Sequence, residues 1–336
     1  MLPKYPGSGP RDLSKPLEEL KILVDARLDG HRVDLALAAV LTWRSRASIH
    51  RLIDGGYVML EGRKPAASRR VRTGETIVVE IPPNPTANPD PGANVDFPIV
   101  YEDQWMIAVD KPPGLAVHPS GRRLDGTLIS ALHRRYRNPA EPAHDVVPRL
   151  LHRIDVETSG IVAVGLDEQF HHLVARQFED RLVQKTYLAV VHGRPREAEG
   201  LVDLAIVPDK ASAVRLKLTT SKDGSGLPAV TGYQVLRSNA DYSLLLVLPK
   251  TGRTHQIRVH MAAIGCPLVG DKLYGGNEQI FLHQLAGTLA EEHREELVLD
   301  RHALHSHSLT FFHPKLGRDL RLEAPLPADM AQLVPE

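Results

Sequence analysis

Four short polar stretches lie between apolar runs in this 336-residue chain, and they hold the residue types that reaction chemistry uses. One is His152-Arg153-Ile154-Asp155-Val156-Glu157-Thr158-Ser159-Gly160, where a carboxylate stands between a guanidinium and a Thr-Ser-Gly group. A carboxylate so placed can act as a nucleophile or stabilise developing positive charge. It can equally be a turn residue, the commoner fate of Asp in such a context. The others are Lys111–Pro119, a turn-rich loop leaving an apolar run, and Lys185-Thr186-Tyr187, which opens another. The fourth, Thr251-Gly252-Arg253-Thr254-His255-Gln256-Ile257-Arg258-Val259-His260, runs into a helical pattern. None of the four defines a site by itself.

Several familiar chemistries are excluded. There is no Gly-x-Gly-x-x-Gly after a strand, no Walker phosphate loop, no His-Glu-x-x-His and no Gly-x-Ser-x-Gly. The single cysteine, Cys266, cannot form an intramolecular disulfide and reads as a small buried apolar residue. Of the 17 histidines, His302, His305 and His307 cluster and His171 and His172 are adjacent. Neither group has the i, i+4 spacing with an acid that marks a metal site, so all five read as exposed or hydrogen-bonded structural residues. No metal and no cofactor is expected.

These segments need a scaffold, and the composition supplies one. The chain is long enough for two domains, and 42% hydrophobic residues allow a core of normal size. No apolar run approaches the ~18 residues of a membrane span, and the N-terminal residues lack a signal-peptide pattern. A cytoplasmic, membrane-free protein is expected. The 41 basic and 41 acidic residues cancel, but their distribution is uneven. Residues 41–75 hold eight Lys/Arg against three acids, and residues 278–300 hold six acids against Arg294. A basic lobe on a neutral protein can steer a polyanion at short range.

Periodicity places the elements. Residues 1–20 read as a flexible tail, rich in Pro and Gly. Residues 21–83 form a small helix-plus-strand module. It has one helix on Val33, Leu37, Val40 and Leu41, and another on Ile49, Leu52 and Ile53 after a Ser45 cap. Gly55-Gly56 ends the second helix, and strands follow at Tyr57–Leu60 and Thr76–Ile81 around a Glu61-Gly62-Arg63 turn. Prolines crowd residues 84–97, which read as a linker. From 98 to 330 the pattern predicts strands at 99–101, 105–109, 161–164, 187–191, 229–236 and 242–248. Helices are predicted at 127–137, 168–179 (with Phe170, Leu173, Val174 and Phe178 on one face), 254–264 and 278–297. A C-terminal hairpin joins 309–312 to 320–322. Strands bunch instead of alternating with helices, so the fold class is α+β.

Taken together, the polar segments resemble the RluA-type RNA pseudouridine synthases. That family's His-Arg-Leu/Ile-Asp-x-x-Thr-Ser-Gly pattern stands complete at 152–160. The resemblance extends in the family's order over Lys111–Pro119, Ala175–Phe178, Lys185–Tyr187, Thr251–Met261, Pro267–Asp271 and Tyr274-Gly275. It spans 98 to about 330. Residues 21–83 are similar to the S-four-type RNA-binding module, with Ser48 where that module usually has a second Arg.

The resemblance implies a central mixed, mainly antiparallel sheet flanked by helices and loops, and a cofactor-independent isomerase that turns uridine into pseudouridine. It makes Asp155 the catalytic carboxylate, Arg258 its basic partner and Tyr187 the aromatic that stacks on the flipped base and can assist proton removal. Arg153 enters the space the base leaves. His152, Thr158 and His255 join the substrate-binding set, with Thr158, Ser159 and Gly160 as the turn that fixes Asp155. The implied partner is RNA, with large-subunit ribosomal RNA first and transfer RNA second. The rivals are a catalytically silent RNA-binding or ribosome-assembly factor, and a histidine-centred hydrolase that the spacing does not support.

Overall fold

The computed structural model of the chain describes residues 19–41, 46–80, 95–119, 126–138, 140–221 and 223–335. Most of the expected tail, the Ser45 cap and most of the Pro-rich linker lie outside the described residues. The chain divides into two compact units: Met1–Val95 with His118–Val147, and Asp96–Val117 with Pro148–Glu336.

In the first unit, strands β1 (Glu19–Leu23), β2 (Val58–Leu60) and β3 (Thr76–Glu80) form an antiparallel sheet in the order β1-β3-β2. Helices α1 (Val33–Val40) and α2 (Arg46–Asp54) contribute Val33, Leu37, Ile49, Leu52 and Ile53 to its buried core. Gly56, at φ +80°, lets the chain leave α2 in the left-handed region. Glu61 and Gly62 both have positive φ, and Leu60 and Arg63 exchange backbone hydrogen bonds across them. That is the two-residue turn whose twist suits a hairpin. β1 begins inside the stretch read as tail; with only Ile22 and no second residue of its five fully buried, it has little pattern to detect. Helix α3 (Leu128–Tyr136) belongs to the segment grouped with this unit, and its Thr127 cap accepts from Ser130 N–H.

The second unit is built on a ten-stranded sheet. Its strands are β4 (Ile99–Glu102), β5 (Met106–Lys111), β6 (Arg149–Leu150), β7 (Ser159–Gly165), β8 (Gln184–His192), β9 (Glu199–Asp203), β12 (Val230–Ser238), β13 (Tyr242–Pro249), β14 (Leu304–His313) and β15 (Arg318–Glu323). Two short strands, β10 (Ile206–Pro208) and β11 (Leu218–Thr220), pair separately. The main order is β4-β5-β7-β14-β8-β13-β12-β9, with β15 on β14 and β6 on β7. Among the described residues only the β7–β14 pair is parallel, so the sheet is mixed and mainly antiparallel, as expected for an α+β fold.

β7 is buried along its whole length, which explains its apolar run from Ile161 to Val164. Helix α4 (Glu168–Glu179) starts at the Asp167 cap and covers one sheet face with Phe170 and Val174, among Met106, Ile161 and Phe311. Each such side chain contributes roughly 2 kcal/mol on burial. Leu173, expected on that face, is instead exposed.

Two further expectations are corrected. Residues 278–297 are two helices, α6 (Gln279–Ala286) and α7 (Glu291–Leu297), because Gly287 adopts φ +72° and closes α6. Helix α5 (Gln256–Ala263) starts two residues later than predicted, because His255 is left-handed at φ +55°. The short helix α8 (Ala328–Ala331) ends the fold.

Candidate active site

Asp155 lies in the loop between β6 and β7, and its position is set from below. Lys111, fully buried at the end of β5, donates from Nζ to Val156 O at 3.0 Å, and Gly114 N–H donates to the same oxygen at 2.9 Å. Thr158 N–H returns to Asp155 O at 3.2 Å, closing the turn. The turn therefore spans Asp155–Thr158, and Ser159 and Gly160 already belong to β7.

Gly160 is needed for another reason. It has φ +106°, and a Cβ there would lie 2.3 Å from Ser306 O on β14. The backbones of β7 and β14 approach too closely for any side chain.

Neighbouring side chains lock the same loop. Lys272 Nζ donates to Glu157 Oε1 at 2.8 Å, and Thr158 Oγ1 is 2.7 Å from His302 Nε2. Burial works against ionisation of Glu157, and His302 and Lys272 outweigh it. Burial also pushes His302 down to about 4, so near neutral pH Lys272 is the standing counter-ion. Thr158 is buried and thus supports the loop.

The basic partner comes from the other end of the sheet. Thr251 leads from β13 into α5, and Gln256 ties this turn to β12. Its Oε1 accepts from Thr251 Oγ1 and Arg253 N–H, and its Nε2 donates to Val230 O and Thr231 Oγ1. In the first turn of α5, Arg258 makes a bidentate pair with the buried Asp271, at 2.7 Å from Nε and 2.8 Å from Nη2. Its remaining nitrogen, Nη1, donates to Asp155 Oδ2 at 3.1 Å. Asp271 also accepts from Leu273 and Tyr274 N–H at 3.0 Å each. The Tyr274 ring lies beneath the guanidinium at 5.0 Å.

Arg258 therefore cannot rotate away, and it presents one N–H to the carboxylate. Burial would raise the Asp155 pKa, but Arg258, with His255 and His302, outweighs it and holds the carboxyl below its ordinary value. Among the described residues no group donates to Asp155 Oδ1. One oxygen is held and the other faces the cleft.

That cleft encloses about 780 Å³ and is lined by Asp155, Arg258, Tyr187, His152, Phe178 and Leu304 among others. This is within the ~300–1,000 Å³ range of small-ligand sites. Its walls carry Arg153, Arg181, Lys185, Lys250, Arg253 and Arg258 against Asp155 and Glu179. Such a surplus of positive charge suits a polyanion.

Tyr187 extends from β8 into the cleft. Burial pushes its hydroxyl up to about 12, against a smaller opposing effect of Ser306. The phenol thus keeps its proton near neutral pH. Arg153 is exposed at the rim and has no ion-pair partner among the described residues. His152 accepts from Ala163 N–H at 3.0 Å and stacks on Phe178 at 5.1 Å, organising the backbone. Burial pushes it down to about 3, so it is neutral. His255 lies 3.9 Å from Asp155 Oδ2 and 2.8 Å from the Tyr274 hydroxyl.

The seven residues singled out in the sequence thus surround or support one cleft. Asp271, Lys272, Glu157 and His302 were not singled out as site residues. Asp271 lay in the Pro267–Asp271 motif, which was the available signal. His302 gave none, because its partners are 144 and 145 residues away. Among the described residues no three His, Cys, Asp or Glu side chains group as metal ligands, and no helix is long and apolar enough to cross a membrane.

A mixed, mainly antiparallel sheet thus carries the carboxylate loop against the arginine helix, and comparison with known proteins gives the class. Residues 105–263 match the family model described as RNA pseudouridylate synthase. The chain is 33% identical to an uncharacterized RNA pseudouridine synthase, YlyB, of Bacillus subtilis, over 95% of this chain and 98% of that protein. It is 34% identical to the ribosomal large subunit pseudouridine synthase D of Zymomonas mobilis, over 93% and 96%. The solved structure of human RNA pseudouridylate synthase domain containing 1 superposes with a TM-score of 0.54 at 26% identity, covering 71% of this chain and 86% of that one. The chain belongs to the RNA pseudouridine synthase family.

Proposed function

We propose that this protein isomerises uridine to pseudouridine in large-subunit ribosomal RNA, in the cytoplasm, with Asp155 as the reacting carboxylate. In this reaction the bond between uracil N1 and ribose C1′ breaks, the base turns over, and a C5–C1′ bond forms. The C5 proton is lost and N1 is protonated, so nothing is oxidised or reduced.

The observation that carries the reading is Asp155 itself. It is ionised, clamped through Oδ2 by an arginine that cannot move, and has Oδ1 free within a basic cleft. A fixed anion near C1′ is worth most where water is excluded. Tyr187, still protonated, stacks on the extruded base and does not stand ready as a phenolate. Arg153 fits the space left in the RNA, because its planar cation can stack on bases and bond phosphate. Extruding the base costs roughly a few kcal/mol, which the cleft and the basic rim must return.

Four relatives named as ribosomal large subunit pseudouridine synthase D support the choice of RNA. Residues 21–83, read as an S-four-type RNA-binding module ahead of a catalytic domain at 98–330, support it as well. Transfer RNA is the second candidate.

Asp155→Asn keeps the shape of the site and removes the charge. Pseudouridine formation is expected to disappear while RNA affinity stays within about twofold. Pseudouridine maps of total RNA from cells with and without the protein identify the target. A fully active Asp155→Asn enzyme would end this reading.

A further inference from the structure

Tyr274 is buried in an apolar cluster with Ile206, Ala229, Val259 and Leu273, yet its hydroxyl has two polar neighbours. Leu218 N–H donates to it at 3.2 Å, and His255 Nδ1 is 2.8 Å away. A backbone N–H can only donate, so the hydroxyl oxygen is already an acceptor there. If His255 Nδ1 donated as well, the phenol proton would have no acceptor among the described residues, and a buried unpaired O–H is costly. Every group is satisfied only when Tyr274 O–H donates to a bare Nδ1. The imidazole proton then sits on Nε2, because the partner of one ring nitrogen sets the state of the other. Burial holds the Tyr274 hydroxyl up at about 12, so its proton is available for this bond.

The Nε2 end points into the site. It is 3.9 Å from Asp155 Oδ2, too far for a hydrogen bond. The ring is held there by a left-handed backbone, φ +55°, which a non-glycine residue adopts only where its surroundings demand it. It also meets the Tyr274 ring edge-on at 5.6 Å. His255 faces Asp155 from the loop, Arg258 from α5, Asp271 beyond it and Arg153 at the rim. Burial and Arg258 lower its proton affinity, leaving it neutral.

We propose that Tyr274 is a positioning residue that fixes His255 as the Nε2–H tautomer, so that this N–H donates to the uracil carbonyl beside the glycosidic nitrogen as the base departs. The inference rests on the reading of Asp155 as the reacting carboxylate. When the N1–C1′ bond breaks, its electron pair stays with the base, and negative charge grows on the carbonyl next to N1. A donor fixed in advance beside that position stabilises the departing anion more than the neutral base. No proton is transferred in this step.

Tyr274→Phe tests it, since the phenyl ring keeps the contact under Arg258 and removes only the hydroxyl. Nitrogen NMR of the histidine side chains, with His255 assigned by its loss in His255→Gln, should show protonated Nε2 and bare Nδ1 in the wild type. Tyr274→Phe should show a mixture of tautomers. Single-turnover conversion of RNA should fall about tenfold in Tyr274→Phe, the scale of one hydrogen bond, with affinity unchanged. In the His255→Gln background, adding Tyr274→Phe should slow the reaction less than about twofold, because the route through His255 is already gone. A bare Nε2 in the wild type would overturn the proposal. So would an equal loss in both backgrounds, which would make Tyr274 merely structural. A wild-type protein that forms no pseudouridine would instead overturn the reaction assigned above, while the NMR result would still decide the tautomer.

Discussion

Replacing Asp271 by Asn probes the geometry most directly, because Asp271 touches the proposed reacting group only through Arg258. Its side chain is fully buried and accepts four hydrogen bonds, two from Arg258 and two from backbone N–H groups. Asn can still offer its oxygen to Leu273 and Tyr274, but it turns an NH2 toward a guanidinium. Removing one partner of a buried ion pair costs about 3–5 kcal/mol. The retained oxygen, and the negative charge still present on Asp155, reduce the expected loss to roughly 2–3 kcal/mol.

The pH dependence has a definite sign. Burial would raise the Asp271 pKa, but Arg258 outweighs it and holds the carboxyl well below the ordinary 3.8. A depressed carboxyl pKa stabilises the fold above its unfolded value and loses that contribution as pH falls through the folded one. The gap between wild type and Asp271→Asn should therefore be constant near neutrality. It should close below about pH 4, by at most ~1.4 kcal/mol per pH unit. With its anchor gone Arg258 swings toward Asp155, and single-turnover conversion should fall at least about tenfold. Urea denaturation at several pH values and release of tritium from RNA labelled at uridine C5 measure both effects. Unchanged midpoint and unchanged rate would refute the view that Asp271 holds Arg258 in place.

Gly160→Ala should lose about 3 kcal/mol or more, since its Cβ would meet backbone that cannot yield; chemical denaturation reads this, and a neutral result would contradict the close approach of β7 and β14. The buried His302 and His305 are held down to about 4 from the ordinary 6.5, so they take up protons when the chain unfolds in mild acid. Stability should thus fall between about pH 6.5 and 4 by ~1.4 kcal/mol per pH unit for each, and His305→Asn should make that slope shallower. Arg153→Ala should leave stability within ~0.5 kcal/mol, because the side chain is exposed, yet slow conversion of structured RNA more than that of a single-stranded oligonucleotide.

Much of the second unit was legible from local pattern. The helix at 168–179 coincides with α4, because Asp167 caps it and two of its apolar residues face the sheet. β7 and β13 are short apolar runs of strand length, and most of their residues are buried. Elements whose residues lack a consistent face were missed. β9 exposes Leu201 and buries only Val202; of β14 the 309–312 part was expected in the C-terminal hairpin, but not its opening Leu304-His305-Ser306, a polar start that only the interior of the sheet makes intelligible. The break between α6 and α7 depends on one glycine entering the left-handed region, which periodicity does not register.

The sequence by itself determined the kind of chemistry. A carboxylate, a tyrosine and an arginine stand in ordered motifs, and short-range patterns carry both motifs and elements. It left open how those residues are held. Asp155 and Arg258 are 103 positions apart, and Thr158 reaches His302 across 144. Only the tertiary structure decides that Arg258 is locked on Asp271, that Lys111 and Lys272 grip the Asp155 loop, and that Tyr274 meets His255. Distances of a few ångströms between side chains depend on how distant strands and helices pack, and no local spacing in the chain encodes them.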